Sequence, residues 1–301
     1  GAFPTLMPAW LTGCRYVLME RYDPESWIET VRTERVTHVI VVPSQLASLL
    51  DAPSFAPDAL RSLRMVCSLG APLPREHKER LLRVLPDGAL WELYGLTEGF
   101  ITVLDGADLP AHIDSVGTPL AFSAMRIVGD DGSDLPAGEI GEIVGRGPLL
   151  TPGYWGRDDL TAQAITDGWL RTGDLGFVDP DGYLHLVDRQ KDMIISGGVN
   201  VFPRDIEEVA ARHPAVREVA VYGVPDARWG ESPVAAIVCH EGACAAAAEL
   251  REWINARVGA RFQRLREVLV VAELPRNIAG KTLKRELRER HPAPAPEPPR
   301  A

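Results

Sequence analysis

Residues 63–99 read LRMVCSLGAPLPREHKERLLRVLPDGALWELYGLTEG. Two short apolar runs, LRMVCS (63–68) and ALWELY (89–94), predict strands, and PREHKERLLRVL (74–85) between them predicts a helix with a leucine face. Upstream, HVIVV (38–42) is a β-branched run that stops at Pro43, as a buried parallel strand would. Ser44 is placed to cap a following helix through Leu50. Further upstream, Asp23-Pro24-Glu25 is a helix start, and Trp27, Ile28, Val31 and Val36 recur after it near helical spacing. Strand, helix, strand, helix, strand predicts a parallel sheet with right-handed crossovers. Ligands of such sheets sit at the carboxyl ends of the strands. Two loops fall there, SLGAPLP (68–74) and GLTEG (95–99).

Downstream the texture changes. From residue 124 to 188 turn signals come quickly, at Asp131-Gly132, Ala137-Gly138 and Asp181-Gly182. Short runs such as EIGEIV (139–144) and YLHLV (183–187) lie between them, which predicts an antiparallel, hairpin-rich subdomain. After Arg189, strands are expected at 193–195, 216–222, 233–238 and 267–271, and helices at 203–212, 245–258 and 282–290. The predicted fold class is therefore α/β: a partial parallel sheet subdomain plus an antiparallel β subdomain, followed by a small α+β C-terminal domain. The expected divisions are residues 1–188, 189–290 and a disordered, proline-rich tail over 291–301.

Composition narrows the function. The chain has 301 residues, 46% hydrophobic and 25% charged, with a net charge of -10. That balance suits a globular protein and argues against nucleic acid or an anionic membrane as partner, since both select basic patches. Cys14, Cys67, Cys239 and Cys244 form no Cys-x-x-Cys pair, and the histidines show no metal-ligand spacing. No apolar run is long enough to span a bilayer, and no signal-peptide pattern is visible. Reduced thiols in a cytoplasmic protein are the expectation.

Five segments could carry chemistry, though each alone has an ordinary structural explanation. YGLTE (94–98) puts an aromatic, a hydroxyl and an acid on a strand-end loop. WLRTGD (169–174) ends in an aspartate that suits an Asx-type turn. DRQKD (188–192) is a charge run, ISGGVNVF (195–202) holds a glycine pair suited to a tight turn, and PRNIAGK (275–281) is a loop ending in Gly-Lys. Taken in order, and with GEIGEIVGRGPLLTPGY (138–154), they resemble the adenylate-forming (AMP-binding) superfamily over most of the chain, from near residue 10 to about 290. ISGGVNVFPRDIEE and VPDARWGES look most like its acyl-CoA synthetases, the fatty-acid and aryl-acid CoA ligases.

The resemblance implies an adenylate-forming fold, with 1–188 as the C-terminal part of the large domain and 189–290 as the small domain carrying the catalytic lysine. It implies ATP, Mg²⁺ and coenzyme A as cofactors or co-substrates. Such an enzyme aligns groups and neutralises charge rather than doing covalent work. Glu98 would hold Mg²⁺, a cation that prefers oxygen ligands, and Thr97 would meet the α-phosphate. Tyr94 would offer a flat face to adenine beside Gly95, with Gly70 and Ala71 letting the backbone approach the purine. Asp174 would accept the ribose hydroxyls, with Arg189 beside it. Lys281 would bring a mobile cation to the reacting carboxylate and phosphate, swung by a hinge at Lys191. Gly197 and Gly198 would line the pantetheine path, and Trp229 would stack on the CoA adenine.

The implied reaction is carboxylate plus ATP to acyl-AMP and pyrophosphate, then thiolysis by CoA. Apolar Leu69, Phe100, Ile101 and Val103 suggest a hydrophobic acyl or aryl acid. A homodimer is an open expectation. The family's Ser/Thr/Gly-rich phosphate loop is not in this sequence. An N-terminally incomplete chain, inactive or slow alone, is therefore expected: an excerpt, a truncated product or half of a split enzyme. A carrier-protein-loading adenylation domain and a non-catalytic nucleotide-binding remnant are the alternatives.

Overall fold

The computed structural model describes residues 2–240, 242–243, 245–276 and 282–291. By its contacts the chain divides into two compact units. Unit 1 is Gly1–Ala124, Arg146–Asp158 and Asp179–His185; unit 2 is Met125–Gly145, Asp159–Val178 and Leu186–Ala301.

Unit 1 begins with α1 (Ala2–Thr12), which the sequence reading did not anticipate, and α2 (Pro24–Glu34). Asp23 caps α2 by accepting the Ser26 N–H at 2.9 Å, and Trp27, Ile28 and Val31 are its buried face. β1 (His38–Val41), β2 (Met65–Leu69) and β3 (Leu90–Gly95) are parallel neighbours, joined through α3 (Pro43–Leu50), α4 (Pro57–Leu60) and α5 (Arg75–Leu82). Ser44 does not cap α3. Pro43 takes the first helical position, so Val42 is the N-cap and its N–H is satisfied by the Gln45 side chain at 3.1 Å. The sheet is not purely parallel: β4 (Ile101–Leu104) and β5 (Thr118–Pro119) extend it antiparallel, in the order β1-β2-β3-β4-β5. Leu46, Leu49, Leu60, Leu81 and Leu90 lie in one core against it, none more than 1% exposed. Burying each such side chain contributes about 1.5–3 kcal/mol.

Unit 2 holds two sheets. The first contains β6 (Ala124–Val128), β7 (Gly141–Arg146), β8 (Ile165–Thr166), β9 (Trp169–Val178) and β10 (Leu184–Arg189), ordered β10-β9-β7-β6 with β8 on β9. Helix α6 (Asp158–Ala164) precedes β8. The second sheet is built around a ten-pair hairpin of β13 (Val216–Asp226) and β14 (Gly230–Cys239). β11 (Ile194–Ser196), itself paired with β12 (Val199–Val201), and β15 (Glu267–Val270) both pair with β14, β11 at Gly230 and β15 along Val234–Ile237. Val221, Ala235 and Ile237 face one core with α7 (Pro203–Ala211) and α8 (Ala247–Asn255); Tyr222, Val224, Val234 and Ala236 face a second with Leu274 and Leu287 of α9 (Lys284–Arg290). Buried on both faces, β13 and β14 show apolar runs without polar alternation. The proline tail beyond His291 lies outside the described residues.

Candidate functional site

In unit 1 the two expected loops do follow β2 and β3, side by side at strand carboxyl ends. Gly70 turns out of β2 with φ +90°, a conformation open to glycine at little cost, and Ala71 follows it. Tyr94 is the penultimate residue of β3, with its ring edge-on to Phe100 at 6.5 Å. Phe100 is 1% exposed, so it is spent on packing beneath that ring rather than lining a pocket. Loop 95–100 is closed by Leu96 N–H donating to Phe100 O at 3.0 Å and Gly99 N–H donating to Leu96 O at 3.0 Å.

Within this loop Glu98 is fixed from two directions by Thr151 and Tyr154, 53 and 56 residues further along the chain. Its backbone oxygen accepts the Thr151 N–H at 2.7 Å. Its carboxylate Oε1 accepts the Tyr154 hydroxyl at 2.7 Å, and that bond, before burial, raises the Tyr154 pKa. The approach requires Gly99: a Cβ there would stand 1.9 Å from Leu149 O. Tyr154, which lies in the motif over 138–154 and carries no expected role there, is thus the side chain that holds the Glu98 carboxylate. Among the described residues no group of three or more His, Cys, Asp or Glu side chains could hold a metal ion. One carboxylate on a loop fits Mg²⁺ only as it is usually bound with nucleotides, by one or two carboxylates, phosphate oxygens and its own waters.

In unit 2 the TGD segment is not a turn after a strand. It lies inside β9 as a bulge: Glu142 pairs with Leu175 and Val144 with Arg171, so residues 172–174 stand opposite Ile143. Bulges re-aim side chains, and this one has its own supports. Gly173 takes φ +68°, Thr172 Oγ1 donates to Ile143 O at 2.7 Å, and Asp174 N–H donates to Thr172 Oγ1 at 3.1 Å. Buried Glu142 ion-pairs with Arg171 and accepts the Gly173 N–H at 3.2 Å. The bulge brings Asp174 Oδ1 within 3.2 Å of Arg189 Nε, so the structure joins two residues that the sequence placed 15 apart.

Arg189 begins a 3₁₀ turn, Gln190–Asp192, which contains Lys191. Its flanks are tied down. Asp188 accepts the N–H of Arg189 at 2.7 Å and of Arg204 at 3.1 Å. Burial raises the Asp188 pKa, Lys284 opposes that rise and Glu207 adds to it. Burial also opposes the charge on Lys284, but Glu207, at 2.8 Å, and Asp188 outweigh it and hold the amine above its ordinary value. Arg288 of α9 reaches Asp192 at 3.5 Å.

Gly197 and Gly198 form the two-residue turn between β11 and β12, with φ +60° and +80°, as the paired glycines predict. Gly197 N–H donates to Trp229 O at 2.7 Å, and a Cβ on Gly197 would lie 2.8 Å from the indole Cε3. The indole is 39% exposed, with the Arg228 guanidinium 4.8 Å from its ring centre. Asp226 accepts the N–H groups of Arg228 and Trp229 at 2.9 and 3.0 Å, which fixes the turn carrying the ring. Lys281 lies outside the described residues. Arg276 bridges Thr282, and Leu283 N–H donates to Pro275 O at 2.8 Å.

Among the described residues no helix is long and apolar enough to cross a membrane. Residues 1–155 match the family model described as AMP-binding enzyme, and residues 205–281 match AMP-binding enzyme C-terminal domain. A feruloyl-CoA synthase from Amycolatopsis sp is 40% identical over 287 residues, covering 94% of this chain and 58% of that protein. The amide bond synthetase McbA from Marinactinospora thermotolerans superposes with a TM-score of 0.84 at 36% identity, covering 91% of this chain and 56% of that one. O-succinylbenzoate coenzyme A synthetase (MenE) from Bacillus subtilis, solved with ATP and magnesium ion, superposes with a TM-score of 0.80 at 32% identity, covering 95% and 57%. The chain thus spans under three-fifths of the length of these relatives.

Proposed function

This chain belongs to the AMP-binding enzyme family, and on that premise we propose that it serves an ATP-dependent acid–CoA ligase. The reaction would join a hydrophobic acyl or aryl acid to AMP with release of pyrophosphate, then transfer the acyl group to the CoA thiol with release of AMP. The observation that carries the reading is the Asp174–Arg189 pair, a carboxylate and a guanidinium aimed together by a strand bulge. A carboxylate so placed can accept both hydroxyls of a ribose while the guanidinium donates to the sugar's oxygens.

Each remaining role follows from chemistry the residues can perform. Glu98, fixed by Tyr154 and Thr151, would hold Mg²⁺ brought in with ATP, and the ion would neutralise charge building on the phosphates. Thr97 would donate its hydroxyl to the α-phosphate. Tyr94, Gly95, Gly70 and Ala71 would take the adenine. Lys281 would supply the cation where carboxylate and phosphate meet, with Lys191 as the hinge of the small domain, residues 189–290. Gly197, Gly198 and Trp229 would receive CoA. The compartment suited to this chemistry, with ATP and reduced thiols, is the cytoplasm.

The likeness to an amide bond synthetase supports a second acceptor, an amine in place of the thiol. Incubating the 301-residue chain with ATP, Mg²⁺ and a panel of aryl and fatty acids, with CoA, with an amine or with neither, tests both readings. Slow AMP release, or none, is expected from this chain alone, and any turnover should depend on CoA and yield a thioester. Amide formation without thioester would select the second reading. Absence of both AMP release and AMP binding, the latter measured by calorimetry, would refute both readings.

A further inference from the structure

Beneath the loop after β2 lies an ion pair that the roles above leave unused. Lys78 of α5 and Glu92 of β3 touch, each with its side chain 3% exposed. Glu92 Oε1 accepts the Leu73 N–H at 3.1 Å, and Lys78 Nζ donates to Ile113 O at 2.7 Å. Leu73 stands between the end of β2 and the start of α5, so its amide has no ladder partner of its own. Ser68 pairs with Glu92 in register, is fully buried, and its Oγ has no hydrogen-bond partner.

Taking two charges out of water costs several kcal/mol per ion, and apolar residues of similar volume at such a place are often as stable or more so. The pair is therefore poorly explained by stability. What an apolar pair could not supply is the acceptor under Leu73. The chain turns out of β2 at Gly70 with φ +90°, and three residues later it is caught by this carboxylate.

We propose that Glu92 is a positioning residue that sets the path of residues 70–73, and with it the Gly70–Ala71 backbone assigned above to the purine, and that Lys78 holds its carboxylate in aim. The proposal rests on the nucleotide-binding reading of this chain. It places the effect of Glu92 on the base of the nucleotide rather than on sugar or phosphate.

Two double variants separate acceptor from charge: K78M/E92Q and K78M/E92L. Both remove both charges, so neither strands an unpaired ion in the interior. Glutamine keeps an oxygen for the Leu73 N–H; leucine does not. Binding of AMP and of ribose 5-phosphate, which lacks the base, would be measured by calorimetry on the full chain, with folding checked by circular dichroism. K78M/E92Q is expected to bind AMP within about threefold of the unmodified chain. K78M/E92L is expected to bind it at least tenfold more weakly, with ribose 5-phosphate equal in all three. Equal AMP binding by the two variants would overturn the proposal, as would parallel losses of AMP and ribose 5-phosphate. If the unmodified chain bound neither ligand, the nucleotide reading would fail and this inference with it. K78M/E92M replaces the leucine variant, with the same readings, should that one not fold.

Discussion

Gly99→Ala is the sharpest test of how Glu98 is held. Gly99 has φ +106°, and a Cβ on it would stand 1.9 Å from Leu149 O, 2.5 Å from Leu149 C and 2.9 Å from Leu150 Cα. Non-bonded carbons settle near 3.5–4.0 Å, so one backbone must retreat by more than about 1 Å. The Thr151 N–H to Glu98 O bond, now 2.7 Å, would not survive that retreat. Strain at a positive φ costs about 1–3 kcal/mol, and the lost hydrogen bond about 0.5–1.5. Urea unfolding should therefore show a loss of about 1.5–4.5 kcal/mol. Gly182→Ala is the control: φ is +90° there, in the same unit, but nothing lies within 4 Å of the added carbon. It carries the strain without the collision. Hydrogen exchange at the Thr151 amide should rise in the first variant and not in the second. If the two variants lie within about 0.5 kcal/mol of each other and Thr151 stays protected, the close approach is not what holds Glu98.

Asp174→Asn should weaken AMP binding about 10- to 100-fold, the worth of a hydrogen bond to a charged group, with little effect on folding; an unchanged Kd would remove the ribose role. Gly197→Ala should displace the Trp229 indole, shift its fluorescence and weaken CoA binding, whereas Gly198→Ala, with open space around it, should leave the ring in place. Burial, then Glu92, pushes the Cys67 thiol up to about 11, so at pH 8 only about one molecule in a thousand carries the thiolate. Mass spectrometry after iodoacetamide should find exposed Cys14 alkylated and Cys67 intact. Lys284→Met should destabilise unit 2 by about 3 kcal/mol at pH 7, because Glu207 and Asp188 lose their cation. The folded pKa of Lys284 is raised, so its contribution is full below the ordinary lysine value of 10.5 and is lost as pH rises through the folded one. The gap between variant and unmodified protein should accordingly close in alkali.

Sequence pattern carried the local parts of this molecule well. Asp23-Pro24 marks a helix start whatever surrounds it, and HVIVV before Pro43 has few alternatives to a buried strand. The same locality misled at Ser44, where a proline one residue earlier had already begun the helix. It also hid β4, whose four residues carry no signal of direction; only pairing with β3 makes them antiparallel. The candidate site divides in the same way. Asp174, Glu98 and the paired glycines were singled out by the order of their motifs, since each segment alone has an ordinary structural explanation. That Asp174 sits on a bulge depends on counting residues against β7, and that Tyr154 grips Glu98 depends on a fold closing 56 residues. Neither fact is written in any window of the chain.

The β13–β14 hairpin is a partition with a furnished room on each side. Leu274 and Leu287 close the second room, and Lys281 lies between them in the chain. Trimming the C-terminus ahead of Leu274 would thus do more than delete a lysine. It would bare Tyr222, Val224, Val234 and Ala236 on the flat of a sheet, and such a protein would be lost to aggregation before its chemistry could be asked about. Any loss-of-lysine experiment on this fold should be a point substitution.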